Sequence, residues 1–306
     1  YISLESKIAK IKDSYYDALS ESQEGWYEEE DFLSLMNLVQ YAADEDIRTL
    51  AEMSIATIFA STLLNATENY HSGGAHARIY TMATTGIHID LAHVFSLYFG
   101  DGDVLDLKAG CNDQVIPAIY TSSYLPDTMI YQLALGKVYP IVQKEVTYNQ
   151  AQQYALPNQH NGNISKYTYS TNLYSIGSIG SLNANEPATI SSNIFNQTTT
   201  WCLTFAENDK ATILVHHPGD DYVQSILGQK STHDYWFGDG NCHCNHLFSN
   251  ESAVIGVYTI SVKQKNLWIH ASIPVQEFDE VIQDPENHRL HSIQYMRKGR
   301  GVIWKR

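Results

Sequence analysis

The sequence predicts an α+β chain whose helices come first and whose antiparallel sheet comes second, two domains in series. Two observations predict it. Up to about residue 135, apolar residues recur at helical spacing. From Gly136 onward the period falls towards two, and turns rich in Asn, Gly and Asp separate short apolar runs. The boundary is drawn between 1–136 and 137–306.

In the first part, Leu4, Ile8, Ile11, Tyr15 and Leu19 lie close to one helical stripe, and Gly25 interrupts it. A second helix is expected from Asp31, read as its N-cap, with Phe32, Leu35, Met36 and Val39 on the apolar side. The Glu28-Glu29-Glu30-Asp31 run before it reads as a solvated turn. The acidic turn Asp44-Glu45-Asp46 suits the positive end of a third helix, whose stripe is Ile47, Leu50, Ala51, Ile55, Ile58, Phe59 and Leu63. Two such helices joined by a short turn pack as an antiparallel hairpin, the repeating unit of helical barrels. Ile87 to Phe99 reads as a fourth helix ended by Asp101-Gly-Asp103, and Val115–Tyr120 and Thr128–Leu135 as shorter ones.

In the second part, Val138, Pro140 and Val142 alternate, followed by Tyr167, Tyr169 and Thr171. Strand-like runs recur at Thr200–Phe205, Thr212–His216, Val254–Val262 and Leu267–Ile273. The last, Gly301–Trp304, is expected to stop without a partner. The chain opens at Tyr1 without a Met or a visible signal peptide, so the expectation is a processed chain, the central part of a longer one, or a protomer of a homo-oligomer.

The formal net charge of −15 over 306 residues argues against nucleic-acid binding, whose footprint is basic. No apolar run reaches the expected length of a membrane span. The 21 tyrosines against 17% charged residues suit both a sugar-binding cleft and an ordinary tyrosine-rich sheet. Asn65-Ala-Thr67, Asn163-Ile-Ser165, Asn196-Gln-Thr198 and Asn250-Glu-Ser252 match the N-glycosylation pattern and tilt the localisation to secreted or extracellular, periplasmic if bacterial.

Chemistry concentrates in His71-Ser-Gly-Gly-Ala-His76-Ala-Arg78-Ile-Tyr80, which follows the long third helix. Its glycines let backbone approach a ligand, and His, Arg and Tyr move protons or hold negative charge. The plain alternative is a helix-terminal turn with solvent-facing polar groups. His88 and His93, five apart, read as packing or solvent residues. A second concentration runs from His216 to His246. His217, His233, Cys242, Cys244 and His246 are candidate ligands of a structural zinc or calcium ion, the Cys-x-Cys-x-His run being an imperfect zinc pattern. The competing reading joins Cys242 or Cys244 to Cys202 or Cys111 in a disulfide.

Helical hairpins ahead of an antiparallel sheet resemble the heparinase II/III-like polysaccharide lyases, an α/α toroid followed by a β-sandwich. The Leu35–Leu63 pattern resembles their inner helices, His76-Ala-Arg78-Ile-Tyr80 a loop of Gly-His-Gly-Arg-Thr-Tyr type, and Asp234-Tyr-Trp236-Phe-Gly238-Asp-Gly240 with Val254–Ile260 their sandwich. Their His-rich strand is not evident here, and the toroid is partial. The resemblance implies β-elimination on a uronic-acid polysaccharide with no cofactor in the chemistry. Arg78 would neutralise the uronate carboxylate, helped by Asn65 or Asn69. Tyr80 would act as base and then acid with its pKa lowered by Arg78 or His76, or His76 would be the base and Tyr80 the acid. Asn69, His71, Tyr235 and Trp236 would contact the substrate. Two other readings stay open. One is a glycoside hydrolase, which needs opposed carboxylates such as the Glu28–Asp31 run or Asp101 and Asp103. The other is a non-catalytic carbohydrate-binding or structural protein.

Overall fold

A computed structural model describes residues 27–67, 92–100, 115–148, 163–181, 201–216, 245–259, 262, 269–283, 293–298 and 301–304. Among these the helices are α1 (Tyr27–Tyr41), α2 (Glu45–Asn65), α3 (Ala92–Phe99), α4 (Val115–Thr121) and α5 (Thr128–Leu135). Eleven strands follow, so the chain is α+β with antiparallel sheets, as its periodicity predicts.

Asp44 caps α2: its carboxylate accepts from the Asp46 amide at 3.0 Å, and Glu45 and Asp46 sit in the first turn. The expected stripe is the one buried, with Ile47, Ala51, Ile55, Ile58, Phe59 and Leu63 inside. Phe59 is the centre of the helical core. It stacks on Phe32 of α1 at 5.4 Å and meets Phe95 and Tyr98 of α3 edge-on at 5.2 and 5.9 Å. Helix α1 corrects one expectation. It begins at Tyr27, so the Glu28–Asp31 run belongs to a helix, and Asp31 lies inside it rather than capping it. Glu28, Glu29 and Glu30 stand in its first turn, where acidic residues are favoured by the helix dipole, which the solvated-turn reading overlooked. Helix α3 ends at Phe99 because Gly100 takes a left-handed φ of 72°. Helix α5 starts at the cap Asp127, whose carboxylate accepts from the Ile130 amide at 2.9 Å.

The expectation about membrane spans also needs amending. Helix α2 is long and apolar enough to cross a bilayer by length and composition. Its apolar residues instead pack against α1, α3 and the segment around Tyr124, and Glu52 is exposed.

The largest sheet orders its strands β1-β2-β3-β4-β5-β8, from Ile141–Tyr148, Asn163–Ser170, Tyr174–Ser181, Trp201–Phe205, Asn208–His216 and His270–Ser272. Side chains alternate between its faces. One face carries Tyr169, Ile176, Leu203 and Ile213, which are neighbours across four strands by register. The hairpin β6 (Asn245–Asn250) and β7 (Ala253–Tyr258) covers this face: Val254 packs into its apolar cluster, and the Ser178 and Ser249 hydroxyls bond. At the hairpin tip, Glu251 adopts φ 47° while its amide donates to the Tyr167 hydroxyl at 2.7 Å. The opposite face carries a buried row of hydroxyls from Ser170, Ser175, Thr204 and Thr212. They bond in pairs, Ser170 with Ser175 at 2.9 Å and Thr204 with Thr212 at 3.0 Å, so burial leaves them partnered.

A third sheet orders β11-β10-β9 (Gly301–Trp304, Ile293–Lys298, Glu280–Gln283). The last strand therefore does have a partner: Gly301 to Trp304 pair with Lys298 to Tyr295. Its partner β10 ends at Lys298, just before it in sequence, which a reading of Gly301–Trp304 alone does not reveal.

Candidate functional site

The residues predicted to carry chemistry fall mostly outside the described residues. This holds for Asn69, His71, His76, Arg78 and Tyr80, for Tyr235 and Trp236, and for His217, His233, Cys242 and Cys244, as it does for Cys111. His246 lies in β6, and only its backbone is described. Among the described residues no cluster of His, Cys, Asp and Glu is arranged to hold a metal ion.

The described structure does fix where the segment carrying His76, Arg78 and Tyr80 leaves the helical body. Helix α2 ends at Asn65, and Ala66 is its extended C-cap, with the Ala66 amide donating to the Leu63 carbonyl at 3.2 Å. The last carbonyls of a helix have no partner within it and must find one elsewhere. Here the Ser175 hydroxyl of β3 donates to the Asn65 carbonyl at 3.1 Å. The Lys137 ammonium donates to the Ala66 carbonyl at 2.9 Å and to that of Thr67 at 3.4 Å. Three successive carbonyls are thus held by side chains from distant parts of the chain. Lys137 reaches them because Gly136 closes α5 at once. A Cβ there would stand 3.0 Å from the Gln132 carbonyl oxygen, the acceptor of the Gly136 amide.

Asn65 is settled by this geometry. Its side chain is buried, and its amide Nδ2 donates to the Ser61 carbonyl at 3.0 Å. At that degree of burial a glycan on that nitrogen has no room, and one of its two hydrogens is given to Ser61. Asn250, in contrast, is exposed at the tip of the β6–β7 hairpin. Cys202 is completely buried in β4, and the cysteines that the disulfide reading would join to it, Cys242 and Cys244, lie outside the described residues. Burial raises the pKa of its thiol, and the Thr204 side chain opposes that shift.

The described tyrosines also bear on proton transfer. Tyr98 is pushed up to about 12 by burial and then by Tyr131. Tyr124 is pushed up by burial, then by Tyr98, Asp127 and Glu52. Tyr174 is raised by burial and by Tyr169 against a hydrogen bond to Ser252. A tyrosine base needs the opposite shift, so these three phenols are packing groups.

Sequence reasoning missed Lys137 and Ser175. A lysine directly after a helix-closing glycine was the available signal for the first; Ser175 offered none. No protein-family model matches the chain, and neither do the curated proteins or the solved structures.

Proposed function

We propose that the chain is an extracellular polysaccharide lyase that cleaves a uronic-acid-containing glycan by β-elimination. Helical hairpins forming part of an α/α toroid would lie over 1–136 and a β-sandwich over 137–306. The observation that supports the reading is the anchored end of α2. The segment rich in His, Arg and Tyr departs from the junction of helices and sheet, at carbonyls held by Ser175 and Lys137. Such junctions between domains favour clefts, and loops set on a rigid scaffold carry function.

In the proposed reaction a base removes the proton beside the uronate carboxylate, and the carboxylate takes up the developing charge. The bond to the leaving glycosidic oxygen then breaks, a carbon–carbon double bond forms in the uronate ring, and the leaving oxygen receives a proton. Arg78 holds the carboxylate by two parallel hydrogen bonds, and Tyr80 with His76 supplies the base and the acid. Asn69 takes the assisting role. His71, Tyr235 and Trp236 contact the sugar. The chemistry needs no cofactor; a structural zinc or calcium at His217, His233, Cys242, Cys244 and His246 would act on stability.

Mass spectrometry of the products tests the reaction type. Elimination gives fragments lighter by one water than those of hydrolysis. Fragments at the hydrolytic mass would reject the proposal in favour of a glycoside hydrolase, and an uncleaved polymer retained by the protein would reject it in favour of a binding protein.

A further inference from the structure

We infer that Asn250 carries an N-linked glycan whose first sugar lies over the exposed ring of Phe248 and covers the outer face of the β6–β7 hairpin. The inference rests on the extracellular part of the reading above and not on the lyase chemistry. The hairpin has one face fixed and one face open. Side chains alternate along each strand. Leu247, Ser249, Val254 and Tyr258 are half-buried. Val254 packs into the apolar cluster of the six-stranded sheet, Ser249 bonds Ser178, and the Tyr258 hydroxyl donates to the Val215 carbonyl at 3.4 Å. Alternating with them, Phe248, Asn250, Ala253, Ile255 and Val257 are exposed.

Register sets Phe248 opposite Ile255 and Asn250 opposite Ala253. Phe248 and Ile255 are 61% and 63% exposed, an apolar pair left in water directly beside the asparagine. Asn250-Glu251-Ser252 is an acceptor pattern for N-glycosylation, and it stands at a turn of defined shape. Glu251 takes φ 47° at the first central position, as tight hairpin turns require, and its amide is held by the Tyr167 hydroxyl. Asn250 therefore projects from a fixed strand end. The residue across from it offers only a methyl group, so space remains beside its amide. Phe248 and Asn250, two apart on one strand, lie on the same face at about 7 Å, a gap that a hexosamine ring spans. One face of such a ring is made of C–H groups with slightly positive hydrogens, which suit the negative face of an aromatic ring. The contact also takes apolar surface of Phe248 and Ile255 out of water.

The experiment uses the full chain secreted from eukaryotic cells, with its glycans trimmed enzymatically to the first N-acetylglucosamine. It is compared with Asn250→Gln, which removes the acceptor, and with Phe248→Ala and Phe248→Tyr, which remove and keep the ring. Peptide mass spectrometry reads the occupancy of Asn250. Proton magnetic resonance reads contacts between the sugar and the ring, and amide exchange reads the hairpin. Asn250 is expected to be occupied, with sugar protons shifted upfield by the ring in signals that Asn250→Gln lacks. Exchange across β6 and β7 should be about three-fold slower or more in the glycosylated chain than in Asn250→Gln. Phe248→Ala should abolish that difference and Phe248→Tyr should retain it, a cycle that isolates the sugar–ring contact.

An unoccupied Asn250, or a sugar with no contact to the Phe248 ring, overturns the inference. So does a glycan that slows exchange equally in Phe248→Ala, or a glycosylated chain whose hairpin face is covered by a second copy. A glycosylated chain that cleaves no polymer defeats the lyase reading alone and leaves this inference standing.

Discussion

Replacing Phe59 by Ala is expected to cost the helical body about 4 kcal/mol, within the range found for buried Phe truncations. The ring is completely buried and lies within 6.4 Å of five others, from Phe32, Phe95, Tyr98, Phe99 and Tyr124. Removing it exposes or empties roughly 100 Å² of apolar contact, about 2.5 kcal/mol at ~25 cal/mol per Å². Lost edge and stacking contacts, each about 0.5–1.5 kcal/mol, supply the remainder because neighbours from three separate elements cannot all close on one void. Phe59→Leu keeps most of the volume and is expected to cost only about 1–2 kcal/mol. Tyr41→Ala, at a ring 72% exposed on the same body, is the control and should change stability by less than about 0.5 kcal/mol. Equilibrium urea unfolding followed by circular dichroism at the helical band gives all three values. A loss below about 1 kcal/mol for Phe59→Ala would refute the claim that this ring organises the helices.

Tyr98 is expected to behave in the opposite sense. Its hydroxyl is buried with no hydrogen-bond partner among the described residues, so Tyr98→Phe should leave stability at neutral pH unchanged or raise it by up to about 1 kcal/mol. Its pKa in the fold, about 12, lies above the ordinary 10.0. The folded state therefore holds the proton longer than the unfolded chain. The contribution is intact below pH 10 and is lost as pH rises towards 12. Alkaline unfolding should be less steep in Tyr98→Phe, and a destabilised variant with an unchanged alkaline slope would contradict both points. Gly136→Ala should cost about 1 kcal/mol in urea unfolding, because its Cβ meets the Gln132 carbonyl; a more stable variant would show that the turn yields freely. Expressed through a secretory pathway, the chain should carry glycan at Asn250 and none at Asn65. Peptide mass spectrometry finding Asn65 modified in folded protein would contradict its buried position.

What could be read from the sequence was what is local. Asp44 and the stripe from Ile47 to Leu63 mark α2 because both cap and apolar face recur within one helix. The strand Trp201–Phe205 was legible from its aromatic and apolar run. Tyr174–Ser181 was not, since its Ser and Gly residues carry little apolar signal, yet it lies between two strands at the middle of the sheet. The same holds for β6, noted only for His246 and the Asn250 sequon, and for β10, which gives β11 its partner. The anchoring of α2 joins Asn65, Ala66 and Thr67 to Lys137 and Ser175 across long stretches of chain, a relation that no periodicity encodes. Asn65 looked like a glycan site until its burial spoke against one.

The most direct test of the central claim is the ultraviolet absorbance of the full chain incubated with a panel of uronic-acid polymers. The account predicts a rise from unsaturated uronate with at least one polymer, abolished in Arg78→Ala while the thermal midpoint holds. A flat trace across the panel, or a rise that Arg78→Ala retains in full, would contradict it.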